Sequence, residues 1–261
     1  MNLISPKNTF SGFTKRVLVV CVMLISLAAC SGADRLQYRD LPVEQLYTEA
    51  QKYVDYGQYR FSAVAFDEVE RQHPYSVWAR RAQLMSAYSY YMAGSYQDAI
   101  LSSQRYIALH PGNKNAPYAK YLIALSYYEQ IADVRRDQNN TEQALLIFNE
   151  IVRLHPETEY AKDAREKISL ASDHLSGKEM EIGRFYQTTE EYFAAIGRFN
   201  KVVVTFGITS HVPEALHRIT ESYIALGIIS QAKKSAAVLA YNYPQSEWNR
   251  YSRELIAEYG N

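Results

Sequence analysis

Two hydrophobic patterns divide the chain. Residues 17–29, VLVVCVMLISLAA, form one unbroken apolar run. From about residue 42 onward, apolar and small positions instead recur in a register that repeats. Five tyrosines mark one position of it: Tyr53, Tyr90, Tyr127, Tyr186 and Tyr223. Three residues before each stands a small or short side chain: Ala50, Ala87, Ala124, Gly183 and Thr220. A second small set follows, Ser62, Ala99, Ala144, Ala195 and Ala232, and twelve residues after each of these comes Pro74, Pro111, Pro156, Gly207 or Pro244. The pattern predicts pairs of antiparallel helices. The small residues let two helix axes approach and the tyrosine fills the space beside them, making the five tyrosines core positions. Gly57, Gly94 and Gly227 fall where each first helix should end. The prolines stop the second helix because they lack the N–H it needs. Tyr59, Tyr96 and Tyr192 open second helices, and Phe66, Phe148 and Phe199 pack from them.

This combination resembles the tetratricopeptide repeat, whose usual period is about 34. Here three of the four Tyr-to-Tyr intervals are 37 and one, Tyr127 to Tyr186, is 59. Of the surplus, eight residues lie between Tyr127 and Ala144, around Val134–Asn140, and fourteen precede Tyr186. Fourteen residues are close to four helical turns, so one long helix is expected over roughly 159–188 with its packing face in phase. The segment after Pro244 is expected to be a capping helix. The fold class that follows is all-α, a right-handed superhelix of five tetratricopeptide-like helix pairs, an α-solenoid in which each repeat buries its face on its neighbours. Four segments are expected: a removed signal peptide at 1–29, a lipidated tether at 30–41, a front half at 42–156 holding repeats one to three, and a rear half at 157–261 with the long helix, repeats four and five and the cap. The first helices of such an array line a surface suited to an extended or helical peptide.

The apolar run follows a polar stretch carrying Lys7, Lys15 and Arg16, the order of a cleaved leader. As a helix it would span only about 20 Å, short of a bilayer core of about 30 Å. It ends in Leu27-Ala28-Ala29-Cys30, which resembles a bacterial lipobox. Cleavage before Cys30 would leave N-palmitoyl and S-diacylglycerol chains on that cysteine as a membrane anchor, each buried methylene contributing roughly 0.8 kcal/mol. Ser31 follows, where an aspartate would favour retention at the inner membrane in the lipoproteins this resembles; the outer membrane is therefore the expected destination.

Charge adds little to this picture. The chain has 28 basic and 28 acidic residues; loss of the leader leaves 25 basic against 28 acidic. No basic excess points to nucleic acid. Cys30 would be the one cysteine left after cleavage, which rules out an internal disulfide and a cysteine-rich zinc site. His73, His110 and His155 each precede a repeat-ending proline, a shared helix-end position rather than a metal set, and His211 and His217 do not share a helical face. There is no HExxH, GxSxG, P-loop or dinucleotide glycine motif. Glu190 and Glu191 are adjacent and diverge. The expectation is a protein that is not an enzyme and takes no metal or cofactor beyond the acyl chains.

Binding is the remaining class, and the aromatic residues outside the tyrosine register are its candidates. Exposed aromatic clusters often mark interfaces. Tyr75, Trp78, Tyr88, Tyr91 and Tyr121 are the residues expected in a groove for a bound segment.

A lipobox, five such repeats, a long helix after the third, and the polar insertion Asp133-Val134-Arg135-Arg136-Asp137-Gln138 followed by Thr141-Glu142-Gln143-Ala144 together resemble the ComL family of outer-membrane assembly lipoproteins. YLIALSYYEQ at 121–130 fits too, and the resemblance spans essentially 42–250. It implies a non-catalytic scaffold at the periplasmic face of the outer membrane, docked through its rear repeats on the last POTRA domain of the barrel protein BamA. Other Bam lipoproteins and unfolded outer-membrane clients are the further partners implied. On the BamA side the resemblance implies Arg198, in Gly197-Arg198-Phe199, and Glu191. The turn His73-Pro74-Tyr75-Ser76-Val77-Trp78-Ala79 matches an aromatic-proline turn of the front half, with His73 where many members have tyrosine. Another lipid-anchored tetratricopeptide adaptor, such as a pilus pilotin or a regulator of cell-wall synthesis or hydrolysis, is the alternative.

Overall fold

The computed structural model describes residues 40–133 and 136–260; the leader, Cys30 with its expected anchor, and residues 134–135 of the insertion lie outside them. Among the described residues there are eleven helices and no strand. They are α1 Val43–Asp55, α2 Tyr59–Gln72, α3 Val77–Met92, α4 Tyr96–Leu109, α5 Ala116–Tyr128, α6 Asn139–Leu154, α7 Glu159–Thr188, α8 Tyr192–Thr205, α9 Val212–Ala225, α10 Ile229–Asn242 and α11 Glu247–Tyr259. Each of α1 to α10 packs chiefly on the helices before and after it in the chain, and α11 packs on α9 as well as on α10. The result is the expected solenoid of five helix pairs with a final helix, and Pro42–Asn261 forms one compact unit.

The small positions explain why the pairs close. Ala50, Ala87, Ala124, Gly183 and Thr220 are all buried, and so are Ser62, Ala99, Ala144, Ala195 and Ala232. With no bulk between the axes, the phenylalanine of the second helix reaches the core, and Phe66, Phe148 and Phe199 are fully buried. The five register tyrosines behave differently from the expectation. Each is half-buried, and Tyr127, Tyr186 and Tyr223 pack against the buried core from its margin. A phenol keeps a partner or water when its ring is buried; Tyr90 donates to Asp67 at 2.8 Å. Asp67 also accepts from Ser86 at 2.6 Å, and burial holds its carboxyl above the ordinary carboxylate range. Next to this, Gln83 donates to Glu70 at 2.7 Å while its carbonyl meets His110 Nε2 at 2.8 Å, tying repeat one to repeat two.

The helix ends follow from local chemistry. His73, His110 and His155 are C-caps with φ between −136° and −132° and ψ of 50° to 57°. The proline after each one excludes the helical conformation for its predecessor, so the chain leaves the helix there. Gly57, Gly94 and Gly227 have φ of 69°, 71° and 72°, the left-handed turn that glycine adopts without strain. The fourth repeat has Glu190 at that position, with φ 63°. Glu190 therefore sits in a turn and Glu191 caps α8, so the pair does not lie on a helix. Ser76 and Thr158 cap the starts of α3 and α7, accepting from Ala79 and Ala161 N–H at 3.0 and 3.2 Å.

The long helix α7 runs over the expected 159–188 as 30 residues. Its first turns put Ala161 and Ala164 into the core of repeat three, and its last turns put Met180 into the core of repeats four and five. Between them, Ser176 bonds Thr209 at 3.0 Å and Asp173 accepts from Ser210 Oγ at 2.8 Å. The insertion is pinned by Gln138, a buried side chain whose amide donates to the carbonyls of Asp133 and Arg136 at 3.0 and 3.1 Å. Its own oxygen accepts from Thr141 at 2.9 Å.

Candidate functional site

The first helices of repeats two to four, α3, α5 and α7, each contribute tyrosines to one face. Tyr88 and Tyr91 stand three apart on α3, and Tyr118 and Tyr121 three apart on α5, a spacing that stacks two side chains on the same side of a helix. Tyr160 begins α7 and closes the row. Its ring centroid lies 5.2 Å from that of Tyr118 and 5.4 Å from that of Tyr121. Tyr59 meets Tyr88 edge-on at 6.3 Å, and Tyr96 meets Tyr91 at 6.0 Å. All of these tyrosines are half-buried, so each keeps part of its surface open to solvent.

Two carboxylates belong to this face. Asp163 accepts a hydrogen bond from the Tyr121 hydroxyl at 2.5 Å, and Glu129 accepts one from Tyr91 at 3.5 Å. Burial, followed by the nearby charge of Glu129, pushes the Tyr91 phenol up to about 12. Burial first, then Asp163, raises Tyr121; burial first, then the phenols of Tyr88, Tyr160 and Tyr91, raises Tyr118. These rings stay neutral donors across any ordinary pH, and the face takes its charge from the two carboxylates. Lys167 sits at one end, 3.4 Å from Asp163 and 5.2 Å from the centre of the Tyr128 ring.

Of the five groove residues read from the sequence, the structure brings together Tyr88, Tyr91 and Tyr121. Trp78 is placed elsewhere: its ring packs 4.9 Å from Tyr47, with the Arg81 guanidinium over it at 5.4 Å. Tyr75 is fully exposed on the turn after α2. Sequence reasoning missed Tyr118, Tyr160, Asp163 and Glu129. The spacing of Tyr118 from Tyr121 repeats that of Tyr88 from Tyr91, which is the signal that could have found it.

Arg198 lies on the second turn of α8, and Glu191 is the N-cap of the same helix, seven residues earlier. Arg198 bonds Glu179 of α7 at 3.1 Å, and Lys201 reaches the other oxygen of the same carboxylate at 2.6 Å. Glu179 is buried, whereas the Arg198 side chain is 40% exposed. Two cations on one carboxylate leave a surplus positive charge, and Glu191 is exposed at the helix start. A separate cleft of about 540 Å³ lies at the turn edge between repeats two and three, lined among others by Ile107, Pro111, Lys114 and Leu154, and includes none of these residues. Among the described residues no group of three or more His, Cys, Asp or Glu is placed to hold a metal ion, and no helix is long and apolar enough to cross a membrane. His217 is instead packed between α9 and α11, with Nδ1 2.8 Å from Ser252 Oγ and its ring against Trp248.

Helix pairs stacked in series with an aromatic face on their first helices define a tetratricopeptide-type scaffold. The comparisons with known proteins make this more specific. The family model YfiO, described as outer membrane lipoprotein, matches residues 39–239, and the chain belongs to that family. A protein of Caulobacter vibrioides named outer membrane protein assembly factor BamD is 44% identical over 254 residues, covering 96% of this chain and 83% of its own. The factor of that name from Rickettsia prowazekii is 40% identical over 248 residues, covering 95% and 99%. One from Neisseria meningitidis is 30% identical over 247 residues, covering 89% and 92%. Among solved structures, a thermophilic tetratricopeptide protein of Thermus thermophilus matches with a TM-score of 0.36 at 15% identity, covering 83% of this chain and all of the other. The TPR2AB domain of yeast Sti1 matches with 0.41 at 10%, covering 83% and 84%.

Proposed function

We propose that this chain is a non-catalytic scaffold of outer-membrane β-barrel assembly, held at the periplasmic face of the outer membrane by acyl chains on Cys30. The observation that carries the reading is the tyrosine face of α3, α5 and α7, in a chain whose curated relatives are named outer membrane protein assembly factors. An unfolded barrel client presents extended segments with aromatic and polar side chains. A row of half-buried phenols offers ring surface and hydroxyl groups to such a segment without enclosing it, so contacts stay weak and reversible. The rear repeats serve the other side of the task. Arg198 of α8, held by Glu179, and the exposed Glu191 at the helix N-cap offer charges of both signs to a partner, which we assign to the POTRA region of a BamA-like barrel protein. Other Bam lipoproteins would join the same assembly.

Purification from detergent-solubilised membranes tests the reading. Recovery of an outer-membrane barrel with POTRA domains, reduced by Arg198→Glu, is expected. Recovery of a pilus secretin or a murein synthase in its place would overturn it in favour of a different lipid-anchored adaptor.

A further inference from the structure

The electrostatic surroundings of the tyrosine face differ from those of three other tyrosines in the array. Tyr47, Tyr90 and Tyr106 each lie in the field of an arginine, Arg81, Arg105 and Arg80 respectively. Among the described residues, the groups that act on Tyr91, Tyr118 and Tyr121 are phenols and carboxylates: Glu129, Asp163 and one another, with Tyr88, Tyr96 and Tyr160. Ring faces carry negative potential at their centres and attract cations. With two carboxylates beside them and, among the described residues, Lys167 as the cation paired with Asp163, the described part of the face holds a surplus of negative charge. The chain itself shows what such surroundings take, since the Lys167 ammonium lies over a tyrosine ring and beside Asp163.

We infer that the tyrosine face selects a lysine or arginine side chain of the extended segment it binds, seated on the rings of Tyr91, Tyr118 and Tyr121 with its charge facing Glu129 and Asp163. The inference rests on the client-binding reading above and specifies what that site prefers. A neutral apolar side chain would meet the same rings, yet it would strip water from the carboxylates without replacing it, which is unfavourable. An anionic one would be repelled. Arginine fits well, because a planar guanidinium can stack on a phenol while its edge bonds a carboxylate.

The test is fluorescence anisotropy with the full chain in detergent and three synthetic peptides of one β-strand sequence that differ at a single central residue: lysine, norleucine or glutamate. Norleucine keeps the aliphatic stem and removes the ammonium. Lysine is expected to bind about tenfold more tightly than norleucine, with glutamate weakest and the preference for lysine weakening as salt rises. Glu129→Gln, a change on an exposed side chain, should bring lysine and norleucine appreciably closer, and Asp163→Asn should do so further. Equal saturable binding of lysine and norleucine peptides would overturn the selectivity while leaving client binding in place. Failure of all three to bind saturably would overturn the client-binding reading and the inference with it.

Discussion

A methyl group built on Gly183 would lie 2.4 Å from the Phe199 ring. The glycine of α7 and the phenylalanine of α8 are thus packed as one unit. Phe199 is fully buried and has no open side toward which to move. Gly183→Ala should destabilise the fold by about 2 kcal/mol through overpacking, despite the better helix propensity of alanine. Thermal unfolding followed by circular dichroism measures this. Ala124→Gly at the matching position of repeat three should also destabilise, by about 1–2 kcal/mol, because a buried methyl is lost together with helix propensity.

Glu190 gives the opposite expectation. It occupies the turn position that Gly57, Gly94 and Gly227 hold in other repeats, with φ 63° and a side chain exposed to solvent. Left-handed backbone costs a non-glycine residue about 1 kcal/mol. Glu190→Gly should therefore stabilise the protein by up to about that amount in a urea titration, and an unchanged midpoint would show that the turn is not strained.

Acid should loosen the cap. Burial alone would raise the Glu221 carboxyl, but the hydrogen bond and charge of His217, with the charge of Arg218, outweigh it and lower it. A lowered folded-state value means the group's contribution is complete above the ordinary glutamate value. It is lost as pH falls through the lower folded value. Glu221→Gln should remove that acid-side dependence, flattening the stability curve below about pH 4.5, while Glu214→Gln serves as a comparison on the same helix. Urea midpoints across that window decide it.

The repeats could be read from the sequence because their determinants are local. A glycine at a helix end, a proline twelve residues after a small side chain, and a fourteen-residue surplus equal to four turns each leave a direct mark in the chain. Glu190 left none, since nothing in a glutamate announces a left-handed turn; only its place in the repeat does. The register tyrosines were expected in the core and are half-buried, because residue type does not say where a hydroxyl finds its partner. Trp78 was read as a groove residue from being an aromatic outside the tyrosine register, and its ring packs against Tyr47 between α1 and α3. The tyrosine face itself was legible only in part. Tyr88, Tyr91 and Tyr121 came from being out of register, but Tyr160 and Asp163 join them from a separate helix, and only the stacking of repeats brings those helices side by side.

The central claim, that clients rest on the face formed by α3, α5 and α7, is tested most directly by site-specific photocrosslinking in intact cells. A benzophenone side chain in place of Tyr91 or Tyr88 should capture newly exported outer-membrane barrel proteins, while one in place of Trp78, which packs against α1, should capture few. Abundant barrel adducts from Trp78 with none from Tyr88 or Tyr91 would contradict it.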